Sequence, residues 1–521
     1  MVHKNNMDIK KVCVIGAGVS GLVAAKTFLE EGCEVTVLEK KSGLGGVWEK
    51  SSSYPEVKTQ SSRHTYCFSD YPMPEDYPEW PNGEQVRKYL QSYADHFGVS
   101  ERISFQAEVT DISRKTEEEL WVVSFKISNQ DEVKEQKQEF DFVLVCNGIF
   151  NIPKNPKIPG NEEFIAAGGK ILHSIEFKDS SLIKDKRVVV VGFGKSACDI
   201  ATFAVDNAKE STLVFRRALW KIPHFFFNKI QFEYILSTRF AELWLPVRKP
   251  EGIKKLLHSV GKPFVWAFWR TNELILRKQF NLDGSNLLPA EFINKTLSCS
   301  ANVAPENFYQ YIESGKIKAK KASISRFISG GVELDSGEKL HADVVIFGTG
   351  FRQDIPFLEE KYRQLVMDDK GNFKMFRNLI HPDIPNMGFL GYNSSFFCPL
   401  TSEIGVWWLA EYFKGNLVLP TPSQMREEMD EQLNWSINNL PPAFAYGTCV
   451  APLSFDYLED LIEDMGFKIF GKGDKPIQGI MERIKPYKYQ QIRDCLRRKK
   501  PLSIKNISVK DGSIPMQEKK R

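Results

Sequence analysis

Three glycines near the start of the chain have the spacing that suits a dinucleotide phosphate. Gly16, Gly18 and Gly21 follow a short apolar run that predicts a buried strand, and an alanine-rich run that predicts a helix comes next. The first glycine permits a tight turn, the second lets a pyrophosphate approach the backbone, and the third lets the helix pack closely on the strand. The helix would begin at Val19 and Ser20 and offer free N–H groups to the phosphates.

An acidic residue ends the next predicted strand. Glu39 follows the apolar run Glu34–Leu38 and stands about 20 residues after the first glycine, where a ribose-binding acid is expected. A carboxylate there accepts hydrogen bonds from both ribose hydroxyls of an adenosine. The register of strand, helix, second strand and acid predicts a dinucleotide site. The alternative is a glycine-rich turn in an ordinary strand–helix–strand unit.

The same pattern recurs in mid-chain. The apolar run Arg187–Val191 predicts a second buried strand, and a glycine-rich turn and a helical run follow it. Alanine at the third glycine position is a substitution that the pattern tolerates. We assign the turn and the start of its helix to a second dinucleotide, with Gly192, Gly194, Lys195, Ser196 and Ala197 as the binding residues.

The two patterns differ in the charge at the end of the following strand. Arg216 and Arg217 stand where the first pattern has Glu39. Guanidinium groups bind a 2′-phosphate in a forked, charge-assisted way, whereas a carboxylate repels it. The first pattern therefore suits FAD or NAD and the second suits NADP, unless the two arginines are ordinary surface residues. Together they predict a redox enzyme, most economically a flavoprotein supplied by NADPH.

Two further segments resemble each other and indicate the domain order. Phe140–Gly148 and Ala342–Gly350 each contain an acidic residue, an apolar strand and a glycine-terminated turn, and we expect both strands to belong to the first sheet. The predicted fold class is α/β, with two Rossmann-like domains and the NADPH domain inserted into a discontinuous FAD domain. The predicted boundaries are 1–165 for the first part of the FAD domain, 166–334 for the NADPH domain with an aromatic-rich insertion at about 225–330, and 335–521 for the rest.

Composition excludes several other classes of protein. Lys and Arg number 70 against 66 Asp and Glu, a net charge of +4, which is too small to predict nucleic-acid binding. No apolar stretch is long enough for a membrane span, and the polar leader is too short for a signal peptide.

The nine scattered cysteines lack CxxC spacing, so we expect reduced thiols, no metal site and a cytoplasmic location. The basic tail from Arg497 predicts a disordered end, with weak contact to anionic membrane as the alternative.

Over most of its length the sequence resembles the flavin-containing monooxygenases, and their plant-type branch in particular. Several blocks that look like this branch occur in the right order, which is more specific than either glycine pattern alone. The blocks are Gly16–Gly21, Leu44–Trp48, Cys67–Pro72, Gln91–Phe97, Gly192–Ala197, Phe347–Phe351, Ile380–Pro382, Pro385–Phe389 and Leu400–Glu403.

This resemblance implies a reaction. NADPH would reduce FAD, and O2 would form a C4a-(hydro)peroxyflavin that oxygenates the nitrogen or sulfur of an amine, amino acid or thioether. The resemblance also implies that Gln60 lies near the flavin and helps to hold the oxygen adduct, as a candidate catalytic residue. The implied FAD contacts, beyond the first glycine pattern and Glu39, are Gly46, Val47, Trp48, Gln60, Ser61, Thr349 and Gly350.

The sequence departs from the family pattern at two places. Gly169, His173 and Phe177 fit the motif between the two glycine patterns, but Ala167 stands where a phenylalanine is expected. We interpret His173 as a structural residue that links domains. Gln60 replaces the asparagine of many members, as plant-type members often do. Baeyer–Villiger relatives carry Trp-Pro where this chain has Phe177 and lysine, which disfavours that chemistry.

Other functions remain open at this point. A pyridine-nucleotide disulfide reductase shares the two-dinucleotide plan, but it requires a redox cysteine pair that the spacing does not provide. An NADPH-dependent flavin oxidase or reductase, and a scaffold or sensor that binds both cofactors without turnover, are the remaining alternatives. The sequence specifies neither the substrate nor the oligomeric state. We expect N-oxygenation first and S-oxygenation second.

Overall fold

The computed structural model describes residues 11–129, 132–296, 302–440, 445–468 and 480–498. In chain order its strands are Lys11–Ile15 (β1), Glu34–Leu38 (β2), Ile103–Ser104 (β3), Ala107–Lys115 (β4), Leu120–Asn129 (β5), Glu132–Phe140 (β6), Phe142–Val145 (β7), Ile152–Pro153 (β8), Lys170–His173 (β9), Arg187–Val191 (β10), Glu210–Phe215 (β11), Lys221–Ile222 (β12), Phe225–Phe226 (β13), Ile230–Gln231 (β14), Asn302–Val303 (β15), Ile317–Lys321 (β16), Ile324–Ile328 (β17), Gly331–Leu334 (β18), Lys339–His341 (β19), Val344–Phe347 (β20), Phe351–Arg352 (β21) and Met387–Phe389 (β22).

The described residues also form helices. They are Val19–Glu30 (α1), Gly83–His96 (α2), Asn161–Ala166 (α3), Lys195–Asn207 (α4), Glu233–Leu236 (α5), Arg239–Glu242 (α6), Gly252–Leu257 (α7), Lys262–Gln279 (α8), Phe308–Glu313 (α9), Glu360–Val366 (α10), Cys398–Phe413 (α11), Pro422–Asn439 (α12), Ser454–Asp464 (α13) and Gln490–Arg497 (α14). None of them is long and apolar enough to cross a bilayer.

The first unit is built on a parallel sheet with the strand order β22-β7-β1-β2-β3. The valine-rich β1 and β7 are buried apart from Lys11 at the start of β1, as expected for central parallel strands that are covered on both faces. Helix α1 packs against β1 and β2 and against α11, which is itself almost completely buried. The antiparallel meander β4-β5-β6 lies between β3 and β7 in the chain.

The second unit repeats this plan on the parallel sheet β16-β11-β10-β20-β9. Here β10, α4 and β11 correspond to β1, α1 and β2 of the first unit. The antiparallel meander β17-β18-β19 lies between β16 and β20, as the earlier meander lies between β3 and β7. The α/β fold class with two Rossmann-like units is therefore confirmed.

The position of Val344–Phe347 corrects one prediction. We expected this strand in the first sheet, but it pairs with β10 and β9 in the second sheet. The reason is the repeated plan, since β20 is the counterpart of β7 and returns to its own sheet after its own meander. The second unit consequently extends beyond the predicted boundary at residue 334.

The insertion predicted at about 225–330 is shorter in the structure. The helices α5 to α8 and the hairpin β13-β14 do leave the Rossmann pattern. However, α9 resumes that pattern, and β16 pairs in parallel with β11 in the second sheet. The last part of the predicted insertion therefore belongs to the regular fold of the second unit.

The second unit interrupts the first one at a narrow connection. The chain leaves the first unit through β8 and returns through β21, and these two short strands pair antiparallel. It then supplies β22 to the first sheet and α11 to the helix layer beside α1. This confirms that one unit is inserted into the other.

The cysteines depart from the expectation of nine thiols. Cys449 is disulfide-bonded, so the prediction of reduced thiols is wrong at this residue. The free cysteines of the described residues are Cys13, Cys33, Cys67, Cys146, Cys198, Cys398 and Cys495. The predicted disordered tail lies almost entirely outside the described residues.

Candidate active site

The turn after β1 leaves no room for side chains. Gly16 has φ +105°, and a Cβ atom there would lie 2.6 Å from the carbonyl oxygen of Cys146 at the end of β7. A Cβ atom on Gly21 would lie 1.8 Å from the carbonyl oxygen of Gly16. The first glycine therefore allows the turn and the third allows α1 to pack against it, as the spacing predicted.

The N-terminus of α1 is open to a ligand. Gly18 is the N-cap residue and no side chain caps the first turn, so the backbone N–H groups of that turn are available to phosphate oxygens. Ser20 lies in this turn, and its Oγ is 2.9 Å from Oγ of Ser402 on α11. A Cβ atom on Gly46 would lie 3.1 Å from Cα of Gly18, so bare backbone faces bare backbone at this point.

Glu39 lies at the end of β2 beside this turn, as predicted. Its carboxylate is buried and accepts hydrogen bonds from the backbone N–H of Ala17, at 2.7 Å, and of Lys41, at 2.9 Å. Each carboxylate oxygen has a second lone pair, so Glu39 keeps acceptor capacity for ribose hydroxyls. The residues of this turn fit an adenosine dinucleotide.

Further predicted FAD contacts lie in two segments between β2 and α2 in the chain. Gly46, Val47 and Trp48 form a 3-10 turn in which Val47 is exposed and the Trp48 indole donates a hydrogen bond to the Tyr66 hydroxyl at 2.8 Å. Ser61 donates a hydrogen bond to the carbonyl of Phe396.

Gln60 joins the two units. Its Oε1 accepts a hydrogen bond from the backbone N–H of Val303 on β15 at 3.1 Å. The amide NH2 of Gln60 forms no hydrogen bond with the described residues. The side chain is therefore fixed by its oxygen, and its donor end is free.

The second turn has the same geometry as the first. Gly192 has φ +128°, and a Cβ atom there would lie 2.5 Å from the carbonyl oxygen of Gly348. A Cβ atom on Gly348 would in turn lie 2.6 Å from Cβ of Ala197. Alanine at the third position of the pattern is accommodated because the residue opposite to it, at the end of β20, is a glycine.

The N-terminus of α4 is also uncapped and open. Gly194 is the N-cap residue, no side chain caps the turn, and a Cβ atom on Gly194 would meet nothing within 4 Å. Lys195 forms an ion pair with Asp199 one turn later. The Tyr54 hydroxyl, from the first unit, donates to the same carboxylate at 2.7 Å. No pattern in the sequence indicates this contact between the units.

Arg216 and Arg217 follow β11, as Glu39 follows β2. Both are exposed, and neither forms a hydrogen bond or an ion pair with the described part of the chain. Two unpaired guanidinium groups beside an open helix N-terminus fit a phosphorylated ribose. The second turn therefore fits NADP as the first fits FAD.

His173 lies at the end of β9 in the second unit, and its role in linking the domains stays a prediction. Its Nδ1 accepts a hydrogen bond from the N–H of Ile175 at 3.3 Å, so Nε2 carries the proton and donates to the carbonyl of Gly350 at 3.1 Å. The ring is 1% exposed and lies 5.0 Å from the ring of Phe351. Burial lowers the pKa of His173, so the ring is neutral at neutral pH and holds β9 to the segment after β20.

The remaining motif residues are structural. A Cβ atom on Gly169 would lie 2.5 Å from the ring of Phe164, and Phe177 is fully buried with its ring 6.1 Å from that of Phe203. Phe164 thus supplies the aromatic ring next to the motif glycine, three residues before Ala167. The motif does not indicate this residue, because Phe164 lies outside the motif position.

Thr349 and Gly350 lie at the connection between the units. The Thr349 hydroxyl donates to the carbonyl of Lys154 at 2.5 Å, and the N–H of Lys154 donates to the carbonyl of Gly350 at 3.0 Å. Gly348, which precedes Thr349, contacts the second turn, so Thr349 and Gly350 lie beside the second unit. Their assignment to FAD stays a prediction.

Glu233 is a further residue of the site that no sequence pattern indicates. This fully buried carboxylate on α5 accepts hydrogen bonds from the N–H and Oγ of Ser62, both at 2.6 Å, and from Oγ1 of Thr65 at 3.1 Å. It ties the insertion to the segment that carries Gln60. Within the described residues no group of three metal-ligating side chains comes together.

The comparisons with known proteins agree with this geometry. The family model described as flavin-binding monooxygenase-like matches residues 9–472. A probable flavin-containing monooxygenase 1 from Arabidopsis thaliana is 29% identical and covers 94% of this chain, which in turn covers 97% of that relative.

Two solved structures share the fold. The S-allyl-L-cysteine S-oxygenase from Allium sativum has a TM-score of 0.61 and 21% identity, over 94% of this chain and 93% of that one. The OTEMO complex with FAD and NADP has a TM-score of 0.63 and 17% identity, over 88% of this chain and 97% of that one. Since the family model spans most of the chain and both turns fit their dinucleotides, the chain belongs to the flavin-binding monooxygenase-like family and is an NADPH-dependent enzyme whose cofactors are FAD and NADPH.

Proposed function

We propose that this protein uses NADPH and O2 to transfer one oxygen atom to a soft nucleophile, the nitrogen or sulfur of a small amine, amino acid or thioether. The observation that carries the proposal is the presence, in one chain of this family, of two open dinucleotide turns with opposite charge at the strand end. The buried Glu39 suits an unphosphorylated ribose, and the exposed Arg216 suits a 2′-phosphate.

In this proposal the chain binds and orients its cofactors. When bound, the flavin accepts a hydride from NADPH and activates O2, while the protein supplies placement and excludes water. The first turn with Gly16, Gly18 and Gly21 would hold the FAD pyrophosphate. The second turn would hold that of NADPH, with Lys195 and Ser196 at the start of its helix.

Gln60 is the residue that we propose beside the reacting atoms. Because the Val303 N–H occupies its oxygen, the free amide NH2 is a fixed donor. Such a donor stabilises negative charge that develops on oxygen during the reaction. Glu233 holds the segment that carries Gln60, because it accepts two hydrogen bonds from Ser62.

We propose N-oxygenation first and S-oxygenation second. The Allium sativum protein is named an S-oxygenase, but at 21% identity its similarity to this chain shows only a shared fold. Baeyer–Villiger oxygenation is the alternative that we favour less, because Lys178 and not proline follows the motif aromatic Phe177. A flavin oxidase or reductase is the other alternative.

Stopped-flow spectroscopy of the purified yellow protein tests this function. The enzyme is reduced anaerobically with NADPH and then mixed with aerated buffer without substrate. A long-lived flavin spectrum that is neither oxidised nor reduced, and that disappears on addition of an amine or thioether, is the expected result. Immediate return to oxidised flavin with release of peroxide would instead identify an oxidase or reductase and remove the role of Gln60.

We also propose a cytoplasmic location with weak peripheral contact to the endoplasmic reticulum. This rests on the sequence alone. Fractionation of cells that express the full chain, with a salt wash of the membrane pellet, tests it. A protein that stays in the pellet after the salt wash would contradict the proposal.

A further inference from the structure

A buried lysine lies directly beneath the second turn. Lys221, on β12, is 1% exposed, and its Nζ donates a hydrogen bond to the carbonyl oxygen of Phe193 at 2.7 Å. The ammonium group also lies 5.1 Å from the centre of the Phe193 ring. Phe193 stands between Gly192 and Gly194, in the turn that fits the pyrophosphate of NADPH.

This ammonium has no carboxylate partner among the described residues. Its neighbours are the Phe193 carbonyl and the Cys198 thiol, which also donates to that carbonyl at 3.5 Å. Asp199 is engaged by Lys195 and by the Tyr54 hydroxyl. Burial of an unpaired charge is costly, so a lysine at this place needs a reason beyond packing.

The hydrogen bond from Lys221 fixes the orientation of one peptide group. The Phe193–Gly194 peptide is trans and planar, so its C=O and N–H point in opposite directions. Because the carbonyl points inward to Lys221, the N–H of Gly194 points outward. It forms no hydrogen bond with the described residues, and the space beside Gly194 is open for at least 4 Å.

We infer that Lys221 is a positioning residue for the nicotinamide dinucleotide, which turns the Gly194 N–H toward the pyrophosphate and adds a buried positive charge behind it. This inference rests on the proposed binding of NADPH at the second turn. Lys221 stabilises the bound pyrophosphate, which NADPH and NADH share. Arg216, in contrast, binds the 2′-phosphate, which NADH lacks.

The buried charge also couples binding to protonation. Burial lowers the pKa of the Lys221 ammonium, and the charged or titratable groups around it are Cys198, Asp199 and Lys195. Burial raises the pKa of the Cys198 thiol, so this residue does not supply a counter-ion. A bound pyrophosphate stabilises the protonated amine, so binding at alkaline pH takes up protons at Lys221.

The test measures NADP+ and NAD+ binding to the FAD-loaded enzyme by isothermal titration calorimetry. Lys221→Met is expected to weaken both ligands by the same factor, roughly tenfold, as for the loss of one hydrogen bond to a charged group. Lys339→Met, at an exposed position on β19, is the matched control and leaves both affinities unchanged. Weakening of NADP+ alone, or no change for either ligand, overturns the inference.

Proton uptake separates this role from simple packing. Titrations in alkaline buffers of different ionisation enthalpy are expected to show uptake in the wild type and less uptake in Lys221→Arg, which keeps the charge but does not titrate. Equal uptake in the two proteins overturns the electrostatic role, and it does so even where Lys221→Met fails to fold. If the ligands bind as expected but the stopped-flow experiment shows an oxidase, the proposed function fails and the role of Lys221 stands.

Discussion

At the scale of single residues, charge at one position distinguishes the two cofactor sites. Glu39 and Arg216 follow equivalent strands, and each lies beside the turn of its own sheet. Arg216→Ala is expected to raise the KM for NADPH roughly tenfold to hundredfold, since hydrogen bonds to charged groups contribute about 1.5–3 kcal/mol. The KM for NADH is expected to stay nearly unchanged.

Steady-state NADPH and NADH oxidation by the same preparations provides the measurement. Arg326→Ala is the matched control, because Arg326 is exposed on β17 of the same unit and pairs only with Glu333 in the described structure. Equal changes in both KM values would contradict the assignment of Arg216 to the 2′-phosphate.

Gly21, the third glycine of the first turn, leaves no room for a side chain. Gly21→Ala places a methyl group 1.8 Å from the carbonyl oxygen of Gly16, so α1 must move away from the turn. We expect a loss of about 1–3 kcal/mol of stability, as for overpacking in a core, together with loss of bound FAD. Thermal unfolding and the flavin-to-protein absorbance ratio measure both effects.

Gly43→Ala is the control for this substitution. Its Cβ atom would lie 3.5 Å from the Glu49 side chain, which is ordinary van der Waals contact. A Gly21→Ala protein with full flavin content and unchanged melting temperature would show that the close approach of α1 is not required.

At the scale of elements, helix α11 carries a buried acid into the first unit. Burial, and secondarily the charge of Asp70, raise the pKa of Glu403 to about 8. Its Oε2 accepts the N–H of Ser69 at 2.8 Å, and its Oε1 has no partner among the described residues. Because the acid is neutral in the folded protein at neutral pH, α11 can be buried almost entirely.

This shift predicts the sign of a pH dependence. Between the ordinary value of about 4.5 and the folded value of about 8, the unfolded chain has released the Glu403 proton and the folded protein keeps it. The free energy of unfolding therefore falls as the pH rises through this window. Urea unfolding at about pH 5.5 and about pH 8 is expected to show a smaller fall in Glu403→Gln than in the wild type.

The exposed Glu427 on α12 provides the control, and Glu427→Gln is expected to keep the wild-type fall. An identical fall in Glu403→Gln and the wild type would show that Glu403 is ionised in the folded protein. The Ser69 N–H would then be bound to a carboxylate and not to a carboxylic acid.

At the scale of the whole molecule, polar contacts made by side chains join the two units. Tyr54 of the first unit reaches Asp199 of the second, which also holds Lys195. Tyr54→Phe removes this hydrogen bond without changing the ring. We therefore expect the NADPH site to be held less firmly against the flavin site. The expected result is more hydrogen peroxide released per NADPH consumed, by about two- to fivefold, the size of effect of about 0.5–1 kcal/mol for one hydrogen bond.

A peroxide assay coupled to NADPH consumption measures this leak. Tyr77→Phe is the control, since the hydroxyl of Tyr77 forms no hydrogen bond in the described structure. An unchanged peroxide yield in Tyr54→Phe would mean that this contact does not affect the relation between the sites.

The sequence predicted the parts of the molecule that depend on local spacing. The two turns, their helices and the acidic or basic strand ends lie where the pattern placed them, because each glycine meets a local steric demand. The sheet assignment of Val344–Phe347 was wrong because an apolar strand does not specify which of two similar sheets it joins. Contacts such as Tyr54 with Asp199, and the position of Glu233 beneath Ser62, depend on side chains that are distant in sequence and follow no pattern.

The paired strands β8 and β21 have a consequence for the order of folding. They bring the points where the chain leaves and re-enters the first unit side by side. During synthesis, β7 emerges long before its neighbour β22, and the second unit emerges between them. If the second unit folds first, it closes this connection and converts a long-range strand pairing into a short one, which lowers the entropy cost of closing the loop. Folding of the NADPH unit would thus prepare the pairing of β22 with β7 that completes the FAD sheet.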